Sequence, residues 1–240
     1  MTIVFDGDAG CHPTIQSGEQ VRSSNLQAFR SQIEAYVDPW ARQYVAPALA
    51  GDIDAASALS VALSNAKRGH VVVAFWRAGA PREAFRTLLG AVWNHDHAEL
   101  IAAAATRRRL RSLFRYAQFD MSHLPDVVQV WRGAAGLGVT GTARGYAWTT
   151  ERDVACWFAM RRVEHFGDPV VLTAYISREA VAFYTNERHE KEVVVFDPPV
   201  SFIDGNADDW VARFKFHEQV IRERNRCLCP SLFVDQIGST

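Results

Sequence analysis

Pro125-Asp126-Val127-Val128-Gln129-Val130-Trp131-Arg132-Gly133 is where the chain changes texture. Val128, Val130 and Arg132 alternate with Gln129 and Trp131, the two-residue period of a strand. Upstream, apolar residues recur at three and four. Downstream, a loop holding Gly133, Gly136, Gly138, Gly141 and Gly145 leads to Tyr146-Ala147-Trp148-Thr149-Thr150. Thr149 or Thr150 is placed to cap a helix whose apolar face is Val154, Ala155, Phe158 and Ala159. Strands are expected over 170–176, 181–184 and 193–196. A short extended piece follows Pro198-Pro199, then a charged segment over 208–226. The fold class is therefore α+β, a helical lobe ahead of a β core.

In the first half, Leu26, Phe29, Ile33, Tyr36, Val37 and Trp40 make one face of a helix that Ser24 or Asn25 can cap. A second helix is expected from Asp52 through Ala58, Leu59 and Leu63 to a stop at Gly69. Val71-Val72-Val73-Ala74-Phe75-Trp76 fits a strand or a buried helix entry equally. Pro81 sits where a first-turn proline belongs, ahead of the stripe Phe85, Leu88, Leu89, Val92 and Trp93. Asn94-His95-Asp96-His97 breaks that helix. Asp96 and Glu99 have the spacing of a capping box for the next one, which runs on through Leu110, Leu113 and Phe114. The expected organisation is an arm over 1–24, a helical lobe over 25–124 and a β core with a C-terminal segment over 125–240.

Composition bounds the function. With 240 residues, 48% hydrophobic and 22% charged, the chain is an ordinary globular one able to bury a sizeable core, and disordered or coiled-coil readings are excluded. The 26 basic and 27 acidic residues nearly cancel, so attraction to a polyanion has to come from a local patch. No apolar run reaches the roughly 18 residues of a membrane helix. The acidic start Met1-Thr2-Ile3-Val4-Phe5-Asp6-Gly7-Asp8 is unlike a secretory signal, so a cytoplasmic location without membrane association is expected. Cys227-x-Cys229 lacks a second pair to complete a zinc site, and Cys11 and Cys156 do not supply one. His95 and His97 are spaced poorly for chelation on a helix, and no metal is expected.

Three segments set polar groups at the ends of apolar strands, where the ladder does not need them. Arg132 closes the first strand, and its guanidinium can hold a phosphate through two parallel hydrogen bonds, with Gly133 letting backbone approach a ligand. Thr149 and Thr150 offer hydroxyls at a turn. Glu190 and Glu192, at i and i+2, project from the same side just before Val193-Val194-Val195-Phe196. Two acids so placed repel each other, so stability alone does not account for them. Each segment also has a plain structural reading. Arg132 suits a strand-end ion pair and Trp148 a core position, while Glu187, Arg188, His189 and Lys191 suggest an exposed edge strand around the two glutamates.

Taken in order, Arg132, Ala147-Trp148-Thr149-Thr150 and Glu190-x-Glu192 resemble the motifs of the ADP-ribosyltransferases of the arginine-serine-glutamate class. The likeness covers about 127–202. In the middle motif Ala147 stands at the first serine position if Trp148-Thr149 fill the next two; alternatively Thr149 supplies the hydroxyl one step later. The resemblance implies a mixed, split β core around an NAD cleft. It also implies mono-ADP-ribosyl transfer to a macromolecular acceptor, a protein arginine or a nucleic acid. In that scheme Glu192 stabilises the ribose cation, Glu190 receives or orients the acceptor and Arg132 anchors the diphosphate or adenosine ribose. Gly133, Trp148, Thr149 and Thr150 line the NAD site, Trp148 by stacking on the nicotinamide. A toxin-like or phage-type role, with a possible antitoxin or inhibitor as partner, is implied as well.

Two rivals stand beside this reading. An NAD glycohydrolase would use Arg132 and Glu192 and be indifferent to Glu190. A nucleic-acid-binding module would use Arg107, Arg108, Arg109, Arg111 and Arg115, a run that otherwise reads as a solvated helix face. Gly136-x-Gly138-x-x-Gly141 is no dinucleotide fingerprint, because it runs into no immediate helix and no repeating strand and helix units follow it.

Overall fold

The computed structural model describes residue 27, residues 29–197 and residues 199–228, the side chains of Cys227 and Leu228 excepted. The expected arm over 1–24, the cap at Ser24 or Asn25, Leu26, Cys11, the Cys227-x-Cys229 pair and Pro198 lie outside what it describes. The chain divides into two compact units, Met1–Gln118 and Phe119–Thr240.

The first unit is helical. Residues 29–36 form α1, which buries Ile33, and Val37 just beyond it is buried too. Pro39 cannot continue that helix. A 3-10 turn over Pro39–Tyr44 takes its place and leaves Trp40 exposed rather than on the buried face. After α2 (Val45–Ala50), Asp52 caps α3 (Ile53–Ala62) by accepting from the Ala55 N–H at 2.9 Å.

The second expected helix does not reach Gly69. It stops at Leu63, and α4 (Asn65–Arg77) begins after Ser64 and carries Val71 to Phe75 as buried helix. Gly69 sits inside α4, where a Cβ would meet the Glu99 carbonyl carbon at 2.8 Å and the Ala103 Cβ at 2.9 Å. The glycine lets α4 lie directly on α5 (Arg82–Ala104).

The stripe Phe85, Leu88, Leu89, Val92 and Trp93 of α5 is wholly buried, and the Trp93 ring meets Phe114 edge-on at 5.1 Å. Asp96, with φ −156 and ψ 63, is non-helical and breaks α5 into two helical halves where the break was expected. The second half does not run on to Leu110, because a further break comes at left-handed Ala105. Thr106 then caps α6 (Arg107–Ala117) through the Arg109 N–H at 3.2 Å. Arg82 and Arg86 of α5 donate to the terminal carbonyls of Tyr116 and Ala117 at 3.1 and 2.9 Å, closing α6 at its other end.

The second unit is α+β. Its strands are β1 (Val127–Ala135), β2 (Ala147–Thr149), β3 (Pro169–Ser177), β4 (Val181–Thr185), β5 (Glu192–Val195) and β6 (Phe202–Ile203). They form one sheet in the order β4-β5-β2-β1-β3-β6. All five pairings are antiparallel, which corrects the expected mixed sheet. Nor is the sheet fully split. β1 and β2 touch through one bridged pair, Trp131 opposite Thr149, whereas β1 and β3 pair along their whole length.

A six-residue helix, α7 (Gly138–Ala143), lies within the glycine-rich loop that was expected to hold none. α8 (Arg152–Met160) and α9 (Val163–Phe166) follow β2, and the charged terminal segment is one long helix, α10 (Ala207–Leu228).

Alternation along β1 and β3 sends side chains to two cores. Val128, Val130, Trp148, Leu172, Ala174, Val193 and Val195 fill one. Val171 packs with Ala155, Cys156 and Ala159 of α8 and with Trp210 of α10 in the other. Burial pushes the Cys156 thiol up to about 12, so it is a core residue and no nucleophile. Among the described residues no helix is long and apolar enough to cross a membrane.

Candidate functional site

Glu192 opens β5 with a strand on each side, paired with Thr149 of β2 and Thr185 of β4. The residue is 4% exposed. The exposed-edge reading of this glutamate is therefore wrong, because the sheet edges are β4 and β6. A buried carboxylate on an interior strand is costly unless something pairs with it.

The turn ahead of β5 supplies the partner. Residues 186–191 run from β4 back into β5, with His189 and Lys191 both in left-handed backbone at φ 58 and 42. Non-glycine residues rarely hold that conformation, so surrounding bonds must impose it. They do. The Thr149 hydroxyl donates to the Glu190 carbonyl at 2.6 Å and accepts from the Glu151 N–H at 3.0 Å. The Thr150 N–H donates to the Lys191 carbonyl at 3.1 Å, the Lys191 N–H to Asn186 Oδ1 at 3.2 Å, and the Lys191 ammonium pairs with Glu151. Thr149 and Thr150 thus hold the turn in place. Neither caps α8, whose N-cap is Glu151 without a side-chain bond.

Held in this way, the turn aims Arg188 at both acids. One nitrogen, Nη2, lies 3.0 Å from Glu190 Oε2 and also pairs closely with Glu192 Oε2. The expected repulsion between the two carboxylates is relieved by a cation set between them. Burial still holds the Glu190 carboxyl above its ordinary value. The Arg188 charge opposes that shift, and the Glu192 charge adds to it.

Arg132 follows the β1 residue bridged to β2, and its side chain turns into the seam. Nε donates to the Thr142 carbonyl at 2.9 Å, and Nη1 donates to the Ala147 carbonyl of β2. The guanidinium therefore links β1 to β2 where their ladder ends. A guanidinium has five N–H donors, so these two bonds use less than half of its capacity. Burial brings its pKa down to about 10, opposed by the Glu192 charge, and it stays cationic at neutral pH. That influence places Arg132 within electrostatic reach of Glu192. Gly145 lies flat against the guanidinium, and a Cβ there would overlap Cζ, Nη2 and Nε.

Two expected ligand contacts are corrected. Trp148 is 1% exposed and belongs to the core beside Val130 and Leu172, with its Nε1 donating to the Gly145 carbonyl at 3.2 Å, so its ring cannot stack on a nicotinamide. The backbone that approaches Gly133 is that of α8 and not a ligand. A Cβ on Gly133 would meet the Ala155 carbonyl carbon at 2.7 Å and the Ala159 nitrogen at 2.9 Å.

Arg161 is a member of the site that sequence reasoning missed. It follows α8, and its guanidinium lies over the rings of Trp157 and Phe158, 4.4 and 4.5 Å from their centroids. Burial, foremost, and the neighbouring charge of Arg162 and Arg188 lower its pKa, while Glu190 raises it, which puts Arg161 in the field of the turn. α10 braces α8 at two points along its length: Glu218 accepts from Trp157 Nε1 at 2.5 Å and Arg213 pairs with Asp153 of the first turn at 2.7 Å.

The arginine run lies in the first unit. Arg108 and Arg115 are exposed on α6, and Arg109 donates to the Ala104 carbonyl at 3.1 Å. His97, in the kinked part of α5, packs its ring 5.3 Å from Trp93. No protein-family model matches this chain, and no curated protein or solved structure matches it either.

Proposed function

We propose that the chain is an NAD-dependent mono-ADP-ribosyltransferase of toxin or effector type. The observation that carries the reading is the strand order β5-β2-β1, which sets Glu192 opposite Thr149 and brings the Arg132 guanidinium, bound to the Ala147 carbonyl of β2, within reach of the Glu192 charge, with Glu190 on a braced turn beside Glu192. The motif order resembles the arginine-serine-glutamate class, and the chemistry of the residues suits the reaction. Breaking the nicotinamide–ribose bond builds positive charge on the ribose, as in glycosidases. The Glu192 carboxylate, fixed on an interior strand, opposes that charge without reorganising. A carboxylate has about four acceptor sites, so Glu192 can take a ribose hydroxyl while it retains Arg188. The unused donors of Arg132 suit a diphosphate or a ribose.

Glu190 separates transfer from hydrolysis. As the base for an acceptor it works only when ionised, so transfer is lost as pH falls through its pKa. Because burial raises that pKa, the acidic limb of the transfer profile is expected to lie above the ordinary glutamate value of about 4.3. In Glu190→Gln the transfer rate should fall while nicotinamide release to water continues. Equal loss of both activities, or of neither, removes Glu190 from the acceptor step.

Arg132 is tested through its neighbour. Gly145→Ala displaces the guanidinium without touching a charge, and NAD binding is expected to weaken on the order of 10- to 100-fold, the worth of one or two charge-assisted hydrogen bonds. Unchanged affinity by calorimetry takes Arg132 out of the NAD site.

The reading as a whole is tested by incubating the purified chain with biotinylated NAD and a cell lysate, then treating with protease or nuclease in parallel. Label removed by protease identifies a protein acceptor, and label removed by nuclease identifies a nucleic acid. Nicotinamide release without label identifies a glycohydrolase. A chain that neither labels anything nor consumes NAD is no transferase. The exposed Arg108 and Arg115 of α6, a helix with no acidic residue, keep nucleic-acid binding as the second reading.

A further inference from the structure

Resting on the transferase reading, we propose that Arg188 is itself an acceptor and that the enzyme places one ADP-ribose on its own Arg188 side chain. An acceptor nitrogen must meet two conditions at once: it must be within hydrogen-bond reach of the base, and it must lie beside the ribose that the catalytic carboxylate holds. Arg188 Nη2 meets both. It is 3.0 Å from Glu190 Oε2 and in closer contact with Glu192 Oε2.

The nitrogen does not reach this position by chance wandering of a long side chain. It extends from a turn that holds two left-handed non-glycine residues and is fastened by the Thr149 hydroxyl, the Asn186 amide oxygen and the Lys191–Glu151 pair. The side chain is 37% exposed, so it can swing by the small distance a bound ribose requires. An acceptor carried on the same chain as its base reacts at a high effective concentration, which favours it over an arginine diffusing in from solution.

The step balances without another reagent. The bond between ribose C1′ and the nicotinamide nitrogen breaks, and its electron pair leaves with neutral nicotinamide. The Arg188 Nη2 lone pair forms the new bond to C1′. The guanidinium proton passes to Glu190 and then to water. Arg161 is the internal control: it lies in the field of Glu190, but its guanidinium is stacked over Trp157 and Phe158 and forms no ion pair with Glu190 among the described residues. It should remain unmodified.

The experiment incubates the purified full-length chain with NAD, measures free nicotinamide, and locates ADP-ribose by peptide mass spectrometry. A parallel sample receives free ADP-ribose, to expose non-enzymatic glycation. The expected result is one ADP-ribose per chain, on Arg188, formed only from NAD. Its rate per chain should not change on about 100-fold dilution, as an intramolecular reaction requires. In Arg188→Lys the mark should vanish from that peptide. Nicotinamide release with Arg188 unmodified, a mark on Arg161 or elsewhere instead, a rate that falls with dilution, or neither nicotinamide nor mark overturns the proposal. The transferase reading falls separately, when the lysate supplies acceptors and still nothing is labelled.

Discussion

Replacing Glu192 by glutamine is expected to slow nicotinamide release by on the order of 100-fold or more, about 3 kcal/mol of barrier, with little change in the melting temperature. The substitution keeps size and shape and removes only the charge. That charge matters in the transition state because Glu192 is 4% exposed and fixed between β2 and β4, where water screens it poorly. The fold tolerates the change because Arg188 keeps Glu190 as a partner and is itself more than a third exposed, so no buried charge is stranded. Loss of rate with retained folding is the outcome that assigns Glu192 to the chemistry. A variant within about threefold of the wild-type rate would falsify the assignment.

How much of this could be read from the residues differs between elements. β3, β4 and β5 lie within one residue of where the apolar pattern puts them, because their side chains are sorted between two cores on opposite faces, whereas β1 runs three residues past Arg132, where it was expected to close, to Ala135. Helix ends in the first unit were harder to place. Leu63-Ser64 and Ala105-Thr106 break helices without glycine or proline, and Gly69, which reads as a stop, is a contact point between α4 and α5.

The site shows the same division. Arg132, Thr149, Glu190 and Glu192 stand out singly, but their meeting depends on the order β5-β2-β1, a long-range fact that spacing does not carry. Arg188 showed only as a cation near the two glutamates in sequence; the turn with left-handed His189 and Lys191, which spacing does not reveal, is what brings it to both. Arg161 had no comparable mark; it joins the site only because α8 delivers it there. Trp148 and Gly133 were misread for one reason. Lying between Arg132 and Thr150, they looked like ligand contacts, whereas the sheet turns the indole into the core and the glycine toward a helix.

That helix contact makes Gly133→Ala the substitution with the largest expected effect on folding. Gly133 lies on β1 opposite Val171 of β3, and the Ala155 carbonyl of α8 presses against its Cα closely enough that a methyl group has no room. The obstacle is backbone on both sides, so no rotamer change relieves it. Either α8 lifts from the sheet or β1 bends away. Lifting α8 opens the core that Ala155, Cys156 and Ala159 make with Val171 and Trp210.

Overpacking of this kind costs about 3 kcal/mol or more, and a fall in melting temperature of roughly 10 °C is expected. Gly141→Ala is the matched control. There the added Cβ meets only the Leu137 Cβ, at 3.1 Å, in a short helix where alanine is the better residue, and the melting temperature should hold or rise slightly. Activity should fall in Gly133→Ala at temperatures where the protein is still folded. α8 leads directly into Arg161, and its Glu151 cap ties Lys191 and the Glu190 turn, so a shifted helix disturbs the turn before the unit melts. A Gly133→Ala protein that melts with the wild type would mean that α8 does not rest on β1 through this glycine, and the path from sheet packing to the geometry of Glu190 would go with it.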